Sequence, residues 1–198
     1  MSFSKSNDFF QKIESDESIK NAILTLNVHG NNNSANQEAL FAFPKHAKKI
    51  ADGLNTLKEY QALTEQNRLR ICAHAVLANE MAVAIIMLHR SNIYTLSNWL
   101  LLAKVPEHAN SIAASFEYLK KADIFTEQNK NYICNIHSGL DQENSSNFGN
   151  ALSFIFFDGN LTQENFDILC ANPKNARQIR KELKNNVQKE TSNKVFVC

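Results

Sequence analysis

One segment of this chain returns without a gap: His46-Ala-Lys-Lys-Ile-Ala, Thr64-Glu-Gln-Asn67 and Ile71-Cys72 recur 62 residues later as His108-Ala-Asn-Ser-Ile-Ala, Thr126-Glu-Gln-Asn129 and Ile133-Cys134. Self-similarity at a fixed spacing marks a chain built from repeated supersecondary units. Halving the spacing exposes a degenerate copy, in which Ala78, Met81, Ala82 and Leu88 precede Tyr94-Thr95-Leu-Ser-Asn98 and Leu102-Ala103. The period is therefore 31 residues. A further copy, Leu152 to Leu161-Thr162-Gln-Glu-Asn165 and Leu169-Cys170, falls 36 residues after its predecessor, which predicts an inserted loop near Ser138 to Ser146. Half copies bracket the array at Asn33 to Phe41 and at Pro173 to Ile179, and Pro44, Pro106 and Pro173 occupy matching places.

Each copy reads as two short helices. Ile50, Leu54 and Leu57, like Ile112, Phe116 and Leu119, are spaced three and four apart, which puts them on one face of a first helix. Thr64, Thr95, Thr126 and Thr162 each precede an apolar stripe, where a hydroxyl can cap the first amides of a second helix. The apolar residue before each Thr, with Trp99 and Phe166 five positions after theirs, fits a hydrophobic staple. Asn67, Asn98, Asn129 and Asn165 stand where a capping box would carry Glu or Gln, and their amides can either bond locally or bridge to a neighbouring copy. A hairpin of this length buries too little by itself, so copies must stack. The expected fold is all-α: an α-solenoid-like array of 31-residue helical hairpins. Residues 1–32 are expected to form an N-terminal helical cap and loop, 33–187 the array with its closing C-terminal helix, and 188–198 a flexible tail.

Hairpins with an Ala-x-x-Ile-Ala first helix and a Leu-Thr-x-Glu-Asn second-helix start resemble the helical repeats of Legionella and Coxiella type IV-secreted effectors. The residues that carry the likeness are His46 to Ala51 with Thr64 to Asn67, His108 to Ala113 with Thr126 to Asn129, and Leu161 to Asn165 with Asn172 to Ala176. The resemblance extends over roughly residues 33–187. It implies an accessory or interaction role, with a host protein or another effector as partner, and it brings no catalytic residue with it. Val195, Phe196 and Val197, just before the terminal Cys198, are similar to the translocation signal of that secretion system. Export into a host cell is the expectation this sets.

Composition offers little chemistry to set against a binding role. The net charge is +1, and no segment approaches the roughly 20 apolar residues of a spanning helix. The first 30 residues carry Asp8, Glu14, Asp16 and Glu17 without a sustained apolar run, so no signal peptide is expected. Cys72, Cys134 and Cys170 share one repeat position with Ala103, which reads as a small buried residue rather than a nucleophile. Cys134 with His137, and Cys72 with His74, give two ligands each and no second pair, so neither a metal nor a cofactor is expected. His46 and His108 are also repeat-equivalent and lack a nucleophilic partner.

If a recognition surface exists, it should lie where copies differ. That logic selects Arg68, Arg70, His74, Tyr94, Trp99, Lys104, Lys130 and Tyr132, with Asp141 and Glu143 in the insertion. The charge is also uneven. From Pro173 onward seven Lys or Arg face two Glu, a balance of +5, so the preceding residues sum to −4. A basic terminal helix makes contact with an anionic membrane the alternative to a protein partner, with an enzyme lacking any recognised motif as a third reading. No nucleic acid is expected, because no aromatic residue interleaves with the charges between Lys174 and Lys189.

Overall fold

The computed structural model describes residues 17–195, with side chains through 185. Among the described residues the chain is all-helical. Its α-helices are α1 (Glu17–Val28), α2 (Ser34–Ala42), α3 (Ala47–Glu59), α4 (Glu65–Ala73), α5 (Ala78–Arg90), α6 (Leu96–Ala103), α7 (Ala109–Lys121), α8 (Glu127–Ser138), α9 (Gln142–Phe157), α10 (Gln163–Ala171) and α11 (Ala176–Val195). Short 3-10 turns at Pro44–His46, Ala75–Leu77, Pro106–His108 and Pro173–Asn175 lead into α3, α5, α7 and α11. The described residues divide into two compact units, with the boundary between His89 and Arg90. No single helix among the described residues is long and apolar enough to cross a membrane.

The same local geometry recurs in the register the sequence repeats. Every odd-numbered helix from α1 to α9 ends at a residue in the left-handed region: Gly30, Gln61, Asn92, Asp123 and Gly159, with φ between 55° and 72°. In four of the five the following amide reaches back to a carbonyl five residues earlier, as Asn31 N–H does to Leu26 (2.8 Å) and Ala62 N–H to Leu57 (2.8 Å). This is the bond that ties off the last carbonyls of a helix. Glycine adopts that conformation without a steric penalty, whereas Gln61 and Asp123 hold it against one.

An extended residue then caps the next helix. Asn33, Thr64, Thr95, Thr126 and Thr162 each accept, through the side chain, the backbone N–H of the residue three positions on. That residue is an asparagine every time. Its Nδ2 turns back and donates to the carbonyl five residues earlier: Asn36 to Asn31 (2.7 Å), Asn67 to Ala62 (2.8 Å), Asn98 to Ile93 (2.6 Å), Asn129 to Ile124 (2.8 Å) and Asn165 to Asn160 (2.8 Å). A glutamate could not donate this bond, which explains why the amide replaces the usual capping-box residue.

In the first unit α3 packs against α1, α2 and α4. Ile19, Ala22 and Leu26 of α1 and Ile50, Leu54 and Leu57 of α3 are buried. Gly53 has no room for a side chain, because a Cβ there would lie 2.8 Å from the carbonyl oxygen of Ala78. The equivalent positions carry Ala22, Ala84, Ser115 and Ala151, all buried, so close approach selects small residues at this register. In the second unit α9 packs between α7 and α11, α8 lies against α7, and α10 against α11. Phe116, Phe148 and Phe166 are its largest fully buried side chains.

Two expectations need correction. The inserted residues are mostly helix: α8 runs on to Ser138, α9 starts early at Gln142, and only Gly139 to Asp141 lies between them. His137 stands where Pro44, Pro106 and Pro173 stand, so no proline ring stops α8 there, although α4 ends at Ala73 with Ala75 at the same register. At the other end α11 continues to Val195, past the expected limit at 187. The N-terminal residues Phe9, Phe10 and Ile13 and the terminal Phe196, Val197 and Cys198 lie outside the described residues.

Candidate functional site

The asparagines settle how neighbouring hairpins are joined within each unit. Asn36 Oδ1 accepts Arg68 Nε (2.9 Å), and Asn98 Oδ1 accepts Lys130 Nζ (3.0 Å). Asn129 exchanges bonds with Gln163, donating Nδ2 to Oε1 (2.7 Å) and accepting Nε2 at Oδ1 (3.3 Å). Each of these three amides thus closes its own turn with its donor and receives the next hairpin with its acceptor. Lys130 also pairs with Glu127 and lies over the Phe125 ring at 5.1 Å.

Several candidate contact residues therefore have structural roles. Trp99 is 5% exposed and Lys130 4% exposed, so neither offers its side chain to a partner. Arg68 is half-buried on Asn36, and half-buried Arg70 donates to Asn67 Oδ1 at 3.3 Å. His74, half-buried, is the C-cap of α4, and Tyr94 is half-buried before the Thr95 cap. Lys104 is exposed at the C-cap of α6. Asp141 is not on a loop tip but is the N-cap of α9, accepting the Asn144 N–H (2.8 Å) and Nδ2 (2.9 Å). These bonds hold its carboxyl below the usual range, with Lys174 adding to the effect. Glu143 is exposed in the first turn of the same helix, where its charge suits the amide end.

Of the ten, Tyr132 lines a groove between α8 and α10, and Lys104 borders a separate concavity beside Leu100 on α6. A cleft of about 490 Å³ runs between α8 and α10, bounded by Gln128, Tyr132 and Ile136 on one side and by Asp167 and Cys170 on the other. Tyr132 is 44% exposed and Ile168, on α10, is 43% exposed. Leu96 and Leu100 on α6 are 60% and 51% exposed. Sequence reasoning missed Leu96, Leu100, Ile136 and Ile168, although one signal was available: Leu69 and Leu100 repeat a large apolar residue at one register on the side away from the core.

The groove is poorly equipped for covalent chemistry. Burial, with Asp167 reinforcing it, pushes the Cys170 thiol up to about 12, so it stays protonated near neutral pH. Burial likewise raises Cys72, and raises Cys134 to about 11 against the pull of Lys104 and Lys130. No group of three or more His, Cys, Asp or Glu among the described residues is arranged to hold a metal ion.

A buried polar cluster lies apart from the groove. His137 is completely buried in the second unit, where its Nδ1 shares a 2.6 Å hydrogen bond with Ser145 Oγ. The ring meets Phe148 edge-on at 5.5 Å and His108 at 6.0 Å. Its Nε2, and Nδ1 of His108, have no hydrogen-bond partner among the described residues. Burial first, and the neighbouring His108 second, lower the His137 pKa to about 3. Ser145 stands where the other first helices have Ala47, Ala78, Ala109 and Ala176, and its hydroxyl meets the histidine at the proline register. Comparison with protein-family models, curated proteins and solved structures finds no match to this chain.

Proposed function

We propose that this chain is a non-enzymatic, helical-repeat interaction module whose hairpins stack as a solenoid-like array and present α6, α8 and α10 to a protein partner. The observation that carries the reading is the α8–α10 groove, together with the exposed Leu96, Leu100, Tyr132 and Ile168 on these three helices. Exposed apolar side chains beside a cleft on a well-packed chain are what a binding surface offers a partner. Side chains on packed helices are also ordered before binding, which lowers the entropic cost of association. The likeness of the hairpins to those of type IV-secreted effectors supports a bacterial effector acting on a host protein or on another effector.

The test is affinity capture from host-cell lysate with the full chain and the Tyr132→Ala/Ile168→Ala variant. Both substituted side chains are exposed, so helical circular dichroism should be unchanged. The expected result is a captured protein whose recovery falls about tenfold or more with the variant. Equal recovery of every captured protein would remove this face from the account.

A further inference from the structure

A second concavity, between α9 and α11, differs from the first in charge. It encloses about 300 Å³ and is lined by Asn147, Asn150 and Phe154 from α9 and by Arg177, Arg180 and Lys181 from α11. Three cations converge there and no carboxylate lines the hollow. The Arg180 guanidinium lies 3.5 Å over the Phe154 ring, a stacking that fixes its plane and leaves its N–H edges free to donate. Among the described residues none of the three cations has an ion-pair partner. The nearest acidic side chain on α11, Glu182, accepts a bond from Gln178 (2.9 Å), and Lys174, outside the hollow, is the cation that acts on Asp141.

The register sets Arg180 apart from the inner helices α3, α5, α7 and α9. The equivalent position is Ala51, Ala82 and Ala113 in α3, α5 and α7 and Gly149 in α9, while the first described helix, α1, carries Lys20 there. On the terminal helix that small residue becomes an arginine poised over an aromatic ring. The two asparagines contribute amide donors and no charge. Such a set of forked and point cations with neutral donors matches the oxygens of a dianionic phosphate better than a single carboxylate.

We propose that the hollow between α9 and α11 is a binding site for a phosphomonoester, held by Arg177, Arg180 and Lys181 with Asn147 and Asn150 as neutral donors. The chemistry is the same whether the phosphate belongs to a soluble metabolite or to a lipid headgroup, and the volume admits the phosphate with a small attached group. This site is separate from the α8–α10 groove and does not depend on its function.

The full chain would be titrated with phenyl phosphate by calorimetry and, in parallel, sedimented with phosphatidylcholine vesicles doped with phosphatidic acid or with phosphatidylserine. The expected result is saturable binding of phenyl phosphate that weakens about tenfold or more in Arg177→Gln/Arg180→Gln. Lys174→Gln/Lys184→Gln removes the same charge outside the hollow and should weaken binding by about twofold or less. Arg180→Lys, which keeps the charge and loses the fork, should fall between these. Sedimentation with phosphatidic acid but not phosphatidylserine identifies a headgroup as a source, and phenyl phosphate binding without sedimentation identifies a soluble one. Absence of phenyl phosphate binding, equal weakening by the two double variants, or equal sedimentation with both lipids would overturn the proposal.

Discussion

Between pH 7 and about pH 4.5 the second unit is expected to lose roughly 3 kcal/mol of stability through His137 alone, as an order of magnitude. The folded protein holds this imidazole neutral, with its pKa lowered from 6.5 to about 3, while in the unfolded chain it takes up a proton at its ordinary value. A group whose folded pKa is depressed in this way favours the unfolded state once the pH falls below 6.5. The loss grows by about 1.4 kcal/mol per pH unit until the folded ring itself titrates near pH 3. Protonation in place is costly because the imidazolium carries an N–H on both ring nitrogens and Nε2 has no acceptor among the described residues. Asp141 also loses its hydrogen-bonded advantage in acid, but only below the ordinary carboxylate range, so the upper part of the window belongs to histidine. Trp99 is the only tryptophan and lies in the second unit, so its fluorescence in denaturant titrations at several pH values reports on this region. His137→Phe/Ser145→Ala removes the imidazole and the hydroxyl it satisfies, and its stability should be flatter from pH 7 to about pH 4.5 by that slope. Parallel curves for the two proteins would refute the assignment.

A comparable loss is expected from Asn98→Leu, about 3 to 5 kcal/mol. The substitution removes two interactions at once: the carbonyl of Ile93 loses its donor and the Lys130 ammonium loses its buried acceptor, while the Thr95 cap, which takes the backbone N–H of residue 98, is kept. The ammonium dominates, because Lys130 is almost fully enclosed and Glu127, its remaining partner, is largely exposed. Lys130→Met keeps the length of the side chain and removes the charge, so it should cost about 1 kcal/mol. The double variant should then be at least about 1.5 kcal/mol more stable than the sum of the single effects predicts. Denaturant unfolding of the four proteins measures that coupling, and strict additivity would mean that Asn98 and Lys130 act independently.

These two sites show where the sequence is readable. The Thr64, Thr95, Thr126 and Thr162 caps, the second helices they start and the all-helical class come from local chemistry that the order of residues carries by itself: a hydroxyl before an apolar stripe, and spacings of three and four. The dual role of the asparagines does not. Whether Asn98 bonds within its turn or to a neighbour depends on a residue 32 positions away, and only packing brings Lys130 to it. Residue type alone assigns lysine and tryptophan to surfaces and interfaces, and at Lys130 and Trp99 burial overrides it. Yet Arg68, Trp99 and Lys130 share one register, directly after the asparagine, and all carry an N–H on a long side chain. A recurrent donor beside a recurrent acceptor is a legible pattern.

The insertion misleads for a different reason. Extra residues in a repeat suggest a loop, but nothing between Ser138 and Ser146 breaks a helix except Gly139, and Asp141 is a good cap for the helix that starts at Gln142. The groove is hidden in the sequence because exposed leucine and isoleucine are common on any surface and gain meaning only when α8 and α10 are seen to leave a cleft between them. Tyr132 and Trp99 are both selected by residue type, and only Tyr132 reaches the exposed face.

The central claim is that partners bind the face formed by α6, α8 and α10. A photo-crosslinking amino acid placed at Tyr132 samples that face, and one placed at the exposed Lys120 on α7 samples a first helix. Irradiation of the two full-length proteins in host-cell lysate should give a discrete adduct from position 132 and none of the same mass from position 120. Adducts of the same mass from both positions, or from position 120 alone, would contradict the account.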